Sequence, residues 1–571
     1  MWLFLSIYEY KEIENNNFTY LYNFHTIDLG LISNIYIISR GIKMKIAKRL
    51  ISLGLISTML FTVGCSSKGS ESKDSGKTNS ASSGKSITLV AGGNPQTTNP
   101  LYANDRASMT LMNAIYSPLY VIEGEKKTFY LAEKVDISDD YLTYKVKLRD
   151  NLKWHDGKPI TTDDIIYTYN AIMDKNQNSI RRADFLVNGE PVEFKKIDDQ
   201  NFEVKLPSVL MSFEDTLSSL RPIPKHIFEG EKDIAKSEKN NSPIGSGPYK
   251  IKEVKSGESI LLDKNTDYFL GDPNLDTVAY RIISDRNSAA MALQNGEVQA
   301  NYVKPDQVET VSKNKNLDVK MFDEGMVDNL VLCEENKDLA KKEVRQAIAY
   351  AINKDQIMTS AYGSDKYAKK AYSLFAPNTL YYTDDVEKYD YNKDKAKELL
   401  KSAGAENLKL RLGYTNGDKT LESIALVIQN NLKEIGVTVD LVPLERSAFL
   451  GQLFTEDLST RTFDMAINGY VMGNEPAAYA SIFTNEESNN VQGYSNEEVN
   501  KLFKEASVET DSAKRGELYK EIQQKIVEDV SLYPIAYPKS MVAIDKQYTG
   551  IDEAKLVPIY MFQDLSKLNK K

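Results

Sequence analysis

The sequence predicts an α/β protein built as more than one compact unit, and three observations carry that reading. At 571 residues the chain is too long for one hydrophobic core and suggests two to four units. Helical stretches that stop at glycine and run into β-branched strands recur, as where residues 421–436 lead into Val437-Thr-Val-Asp-Leu-Val, the pattern of an open α/β lobe. No repeat period is visible, which excludes solenoids and propellers. A hydrophobic fraction of 41% with 27% charged residues is ordinary for a soluble globular chain. The net charge of -10 argues against a nucleic-acid partner, since phosphates call for a basic surface.

Residues 44–64 open the organised part of the chain. Lys45, Lys48 and Arg49 precede an apolar run over 50–63 that is too short to span a membrane and has the anatomy of a secretory signal. The run ends in Phe61-Thr62-Val63-Gly64-Cys65, which looks like a lipoprotein box with Thr62 where Leu, Val or Ile is usual. Cys65 is therefore the expected lipid attachment. Residues 65–86 are almost wholly small and polar, with nothing apolar larger than Ala81, so they read as a tether. Two or three acyl chains, at about 0.8 kcal/mol per buried CH₂, hold a protein stably where one would not. Residues 1–43 do not fit this plan. The codons for Arg40-Gly41 can supply a ribosome-binding sequence ahead of Met44, so residues 1–43 are expected to be a misassigned extension.

Residues 85–91 enter the globule as a strand. Asn99-Pro100 initiates a turn, and an apolar helix over 109–120 follows, ending at Pro118. Residues 141–169 are the most patterned stretch. Leu142, Tyr144, Val146 and Leu148 share one side of a strand; Asp156-Gly157 and Pro159 turn the chain after Trp154. Thr161 to Asp164 has the spacing of a helix N-cap with acids in the first turn, and Ile165, Ile166, Tyr169, Ile172 and Met173 follow at helical spacing. These residues read first as scaffold. Gly245-Ser246-Gly247-Pro248 marks a sharp backbone excursion and contains no nucleophile elbow or phosphate loop. Residues 344–355 form an amphipathic helix with Asn353 as its cap, and 393–404 a further helix stopped by glycine.

Chemistry-bearing residues are sparse. Cys65 and Cys333 belong to no CxxC pair, and Cys333 reads as a small buried apolar side chain. His25, His155 and His226 are too scattered to build a metal site, and no cofactor is expected. Acidic doublets such as Asp163-Asp164 and Asp384-Asp385 read as solvated turns or helix starts. The best ligand candidate is residues 463–479. A buried strand over 463–467 there delivers Tyr470, Gly473, Asn474 and Glu475 to its carboxyl end, where open α/β sheets hold ligands.

Several of these stretches carry a resemblance. The strand, Trp-containing DGKP turn and acidic helix start of 141–169, the SPLY after Asn99-Pro100-Leu101, the GSGPY at 245–249 and VRQAIAYAINKDQI from Val344 resemble the extracytoplasmic solute-binding proteins of peptide ABC importers, the oligopeptide- and dipeptide-binding family. The resemblance implies a two-lobed periplasmic-binding-protein-like fold with a type II cleft and an extra inserted α+β domain. Lobe I would comprise 87–124, 244–327 and 532–571, the inserted domain 125–243, and lobe II 328–531. Val327-Asp328-Asn329 and residues 530–533 would be hinge strands. It also implies a monomer that binds an oligopeptide at the outer face of the cytoplasmic membrane, with an ABC permease and ATPase as partners and no catalysis. Asn99 would reach the cleft edge. Tyr470 stands where relatives usually carry Trp, and Glu475 is the nearest acid here to the place of the Asp that in relatives pairs with a ligand ammonium and that this chain lacks. A same-fold receptor for a nickel chelate, haem or glycoside, a signalling receptor and a secreted hydrolase remain the alternatives.

Overall fold

A computed structural model describes residues 84–124, 126–455, 460–485 and 489–571, all within the compact unit Ala81–Lys571. Cys65, the extension 1–43 and the signal 44–64 lie outside the described residues. Strand β1 (Ser86–Ala91) and helix α1 (Arg106–Ile115) come first. The helix starts earlier than expected because Asp105 caps it through Ser108, and it ends at Ile115 because Tyr116 is already extended.

Next comes a four-stranded antiparallel sheet of β2 (Ala132–Ile137), β3 (Thr143–Leu148), β4 (Glu193–Lys196) and β5 (Asn201–Lys205), in the order β2-β3-β5-β4. Helix α2 (Thr162–Met173) packs on it, its first turn closed by a reciprocal cap between Thr161 and Asp164. The short helix α3 (Phe213–Ser218) follows. Tyr144, Val146, Trp154 and Ile165 from this region share one core with Ile87 and Leu89 of β1 and Val542 near the C-terminus.

The chain then builds β6 (Tyr249–Lys255), β7 (Ser259–Lys264), β8 (Thr277–Ile282), α4 (Arg286–Gln294), β9 (Ala300–Val303), α5 (Pro305–Ser312) and β10 (Leu317–Asp323). A second core begins with β11 (Met326–Leu332) and α6 (Lys342–Ala351), and continues through β12 (Ala368–Lys370), α7 (Lys393–Ser402), β13 (Lys409–Thr415), α8 (Lys419–Glu434), β14 (Thr438–Leu444) and β15 (Met465–Val471). Helices α9 (Glu497–Val508) and α10 (Ser512–Asp529) cover it. Cys333 is buried there as a free thiol. Asn353 does not cap the end of α6; with Ile352 extended, it caps the next short helix through the Gln356 amide.

The last long strand, β16 (Leu532–Asp545), joins the two halves into one twelve-stranded array, β6-β7-β8-β1-β9-β16-β11-β15-β13-β14, with β10 and β12 also on β16. Leu532 to Ala536 pair with β11, whereas Lys539 to Asp545 pair with β10. A register shift opposite Asp328 and Asn329 places a bulge beside Pro534, which has no N–H to give the ladder. The crossing therefore lies at 536–539, downstream of the 530–533 segment expected from the sequence, because Leu532, Tyr533 and Ile535 are still buried in the second core.

The two motifs that looked separate in the sequence grip each other. The Gly245 N–H donates to His155 Nδ1 at 3.1 Å, and His155 Nε2 lies 3.1 Å from the Gly247 carbonyl. A carbonyl only accepts, so the ring is neutral with its proton on Nε2. Gly247 in turn donates to the Ile115 carbonyl at 2.6 Å, and a Cβ on Gly245 would come within 2.1 Å of that oxygen. The glycines are required by this close approach to the end of α1. Burial pushes the His155 imidazolium down to about 4.

The unfolded chain takes up this proton near pH 6.5 and the folded chain only near 4, so stability is lost as pH falls through that window, by about 2 to 3 kcal/mol. In urea denaturation of the unit 81–571, the stability gap between the parent and His155→Gln should shrink by that amount between pH 7 and 4.5. An unchanged gap would show that the ring is not held neutral.

Candidate functional site

The site is assembled where β15 runs beside β11. Gly469 of β15 faces Asp328 of β11, and a Cβ on Gly469 would sit 2.6 Å from the Asp328 carboxylate. That carboxylate accepts from the Tyr362 hydroxyl at 2.6 Å. Burial raises it to about 6, opposed by the Tyr362 bond and Lys304, and assisted by Asp418 and Glu324. Glu324, in the turn between β10 and β11, pairs with Arg106 at 3.5 Å and accepts from Ser540 of β16. Arg106 lies over the Tyr302 ring at 4.7 Å.

β15 then delivers its loop. The Tyr470 hydroxyl donates to the Leu374 carbonyl at 2.6 Å, and its ring meets Tyr479 edge-on at 6.0 Å. Gly473 takes φ +78°, a conformation that favours glycine, and its carbonyl accepts from Thr379. The Asn474 carbonyl accepts from the Leu380 amide at 2.9 Å, while its side-chain amide has no partner among the described residues. Glu475 caps the turn Pro476–Tyr479 through Ala477 and pairs with Arg515 at 2.6 Å, with side chains only 13% and 6% exposed. Arg515 also donates to the Ala506 carbonyl.

The first half also meets the second near this loop. Met211 donates to the Ser507 carbonyl at 2.9 Å, and Asp215 of α3 faces the Glu475–Arg515 pair. Burial, then Glu475, raises the Asp215 carboxyl to about 7.

One edge of β15 is open. Met465 to Val471 all pair with β11, but only Met465 and Ala466 pair with β13. Residues 467–471 therefore have no strand on their second side among the described residues, and 468–471 are half-buried. An open groove of about 980 Å³ along α9 and α10 is lined by charged residues such as Glu505, Lys514, Glu517 and Lys525 and touches none of these groups.

Residues 129–493 match the family model of bacterial extracellular solute-binding proteins, family 5. The chain is 30% identical over 537 residues to the oligopeptide-binding protein AppA of Bacillus subtilis, across 89% of this chain and 96% of that protein. It belongs to the family 5 extracellular solute-binding proteins. Among solved structures it is similar to the ABC transporter substrate-binding protein CtaP of Listeria monocytogenes, at 43% identity and a TM-score of 0.82, across 85% of this chain and 99% of that one. It is also similar to B. subtilis AppA in complex with a nonapeptide, at 30% identity and a TM-score of 0.72, with coverage of 85% and 99%. These neighbours have the two-lobed type II fold of periplasmic binding proteins.

Within this solute-binding protein the structure brings Tyr470, Gly473, Asn474 and Glu475 together on one strand and loop. Asn99 is elsewhere and fully buried; its amide accepts from Leu101 and donates to Asn240, so both polar ends are taken within the protein. The Glu475 charge is likewise already matched by Arg515. Sequence reasoning placed Asp328 in a hinge strand but not at the site, and missed Tyr362, Asp215 and Arg515. Only Asp328 had a signal, an acid inside the apolar strand Met326-Val-Asp-Asn-Leu-Val-Leu.

Removing one member of a buried ion pair strands the other charge. Arg515→Met should destabilise the unit by about 3 kcal/mol in urea denaturation, and adding Glu475→Gln should recover part of that loss. A single variant within about 0.5 kcal/mol of the parent would show the pair to be dispensable.

Proposed function

We propose that the protein captures oligopeptides between its two halves and delivers them to an ABC permease and its ATPase, without altering them. The open edge of β15 at 467–471 carries this reading. An extended peptide has a row of N–H and C=O groups that must stay paired when water is expelled, and an unpaired strand edge supplies them in register. Main-chain pairing ignores side-chain identity, so tolerance of many sequences follows. The relative's name, its nonapeptide complex and the coverage of nearly the whole chain all support a peptide as the solute.

In this reading the Tyr470 ring and Gly473 shape the wall beside the ligand, and the unpartnered Asn474 amide offers it two N–H donors and a carbonyl acceptor. Glu475 lies at the same loop, where its pairing with Arg515 holds the loop in shape, and Asn99 steadies the turn at the cleft edge. The halves exchange at 324–325 and again near 537, and they close as a hinge around the ligand. Lipid on Cys65 and the tether 65–86 hold the globule as a monomer at the outer face of the cytoplasmic membrane.

Isothermal titration of the unit 81–571 with a mixed nonapeptide pool should give saturable heat, and free amino acids should give none. Asn474→Ala should weaken the peptide about ten-fold, as loss of one or two hydrogen bonds would. No heat with any peptide, alongside binding of a nickel chelate, haem or glycoside, would overturn the proposal.

A further inference from the structure

A cluster of charges away from the loop joins the two halves. Ala292 and Leu293 of α4 and Val308 and Val311 of α5 pack with Met541 and Ala543 of β16, on the first-half side. Ile424, Ala425, Ile428 and Leu432 of α8 are buried in the second core. Between these helices Asp418 lies 3.4 Å from Arg286 and 3.9 Å from Lys304, and Lys419 lies 3.6 Å from Asp306. Every one of these contacts crosses from one half to the other.

We propose that Asp418 and Lys419, set against Arg286, Lys304 and Asp306, form an ion clasp that holds the halves shut and sets how long a ligand stays enclosed. The inference rests on the closing-cleft reading above, and concerns how that site is regulated. The pattern is register-specific. The acid that caps α8 faces two bases and the base beside it faces an acid, so a slipped closure would set like charges against each other. Asp418 is already fixed, because it caps α8 through the Thr420 and Leu421 amides at 3.0 and 3.4 Å and is only 17% exposed. Closure therefore need not immobilise it.

The partner bases are at least half exposed. Exposed pairs each shift an equilibrium by only about 1.4- to 5-fold, so three contacts together favour the closed form by about ten-fold. Such pairs are also screened by salt, over a length that falls from ~30 Å at 0.01 M to ~3 Å at 1 M. Asp328, on the crossing strand β11, faces both Lys304 and Asp418, so the clasp adjoins the floor of the space it closes.

Asp418→Asn tests the clasp cleanly, because Asn caps a helix as well as Asp does and only the charge is lost. With a C-terminally dansylated nonapeptide pool bound to the unit 81–571, the variant, which loses two of the three contacts, should release it about five-fold faster at low salt and lose most of the salt dependence of release. Asp306→Lys, which repels Lys419, should also speed release, and adding Lys419→Asp should restore it to within about two-fold. Small-angle scattering of the ligand-free unit gives a reading independent of the peptide. The parent should expand as salt rises, and Asp418→Asn should be expanded throughout. If peptides bind but neither release nor scattering responds to Asp418→Asn, the clasp is wrong. If no peptide binds and the scattering still responds, the clasp stands and the peptide assignment falls.

Discussion

One strand serves two sheets, and the rest of the molecule depends on it. Leu532 to Ala536 of β16 belong to the ladder of the second half and Lys539 to Asp545 to that of the first. A strand is stiff along its length but bends where its ladder is interrupted, and here Pro534 and the adjoining bulge interrupt it. The short turn at Glu324-Gly325, between β10 and β11, makes the second crossing beside it. Two crossings at neighbouring points allow the halves to rotate about one axis while each core stays packed. The four-stranded sheet of β2 to β5 shares the first core.

Charge in the space between the halves is balanced group by group. Glu475 has Arg515, Glu324 has Arg106, and Asp418 has Arg286 and Lys304. A closing cleft removes water from such groups, and an unmatched charge would oppose closure. Asp328 and Asp215 are the partial exceptions, and both carboxyls are pushed up toward neutrality by their burial. On the reading proposed above, the described residues would offer a ligand mainly aromatic surface, an open main-chain edge and the Asn474 amide. That inventory suits recognition of a backbone better than recognition of one side chain.

Much of the scaffold was legible because its signals are local. The alternation from Thr143 to Leu148, the capping pattern at Thr161 and Asp164, and the run from α8 into β14 each depend on residues a few positions apart. The loop of Tyr470, Gly473 and Asn474 was legible for the same reason, since a strand and its following loop are one segment. Contacts between distant segments were not. Nothing near Glu475 announces Arg515, 40 residues on, and nothing near His155 announces Gly245, 90 residues on. Asn353 was read as the end of one helix because a cap residue looks alike on either side of a helix boundary. The crossing in β16 was placed too early because an apolar strand reads the same whichever core it enters.

The central claim is that a peptide backbone occupies the free edge of β15 between the halves. A crystal structure of the protein purified with no added ligand tests it most directly. The account predicts extended main-chain density, carried over from the expression host, running alongside residues 467–471 within hydrogen-bonding distance. A segment of the protein's own chain paired along that edge, or two halves packed with no room between them, would contradict it.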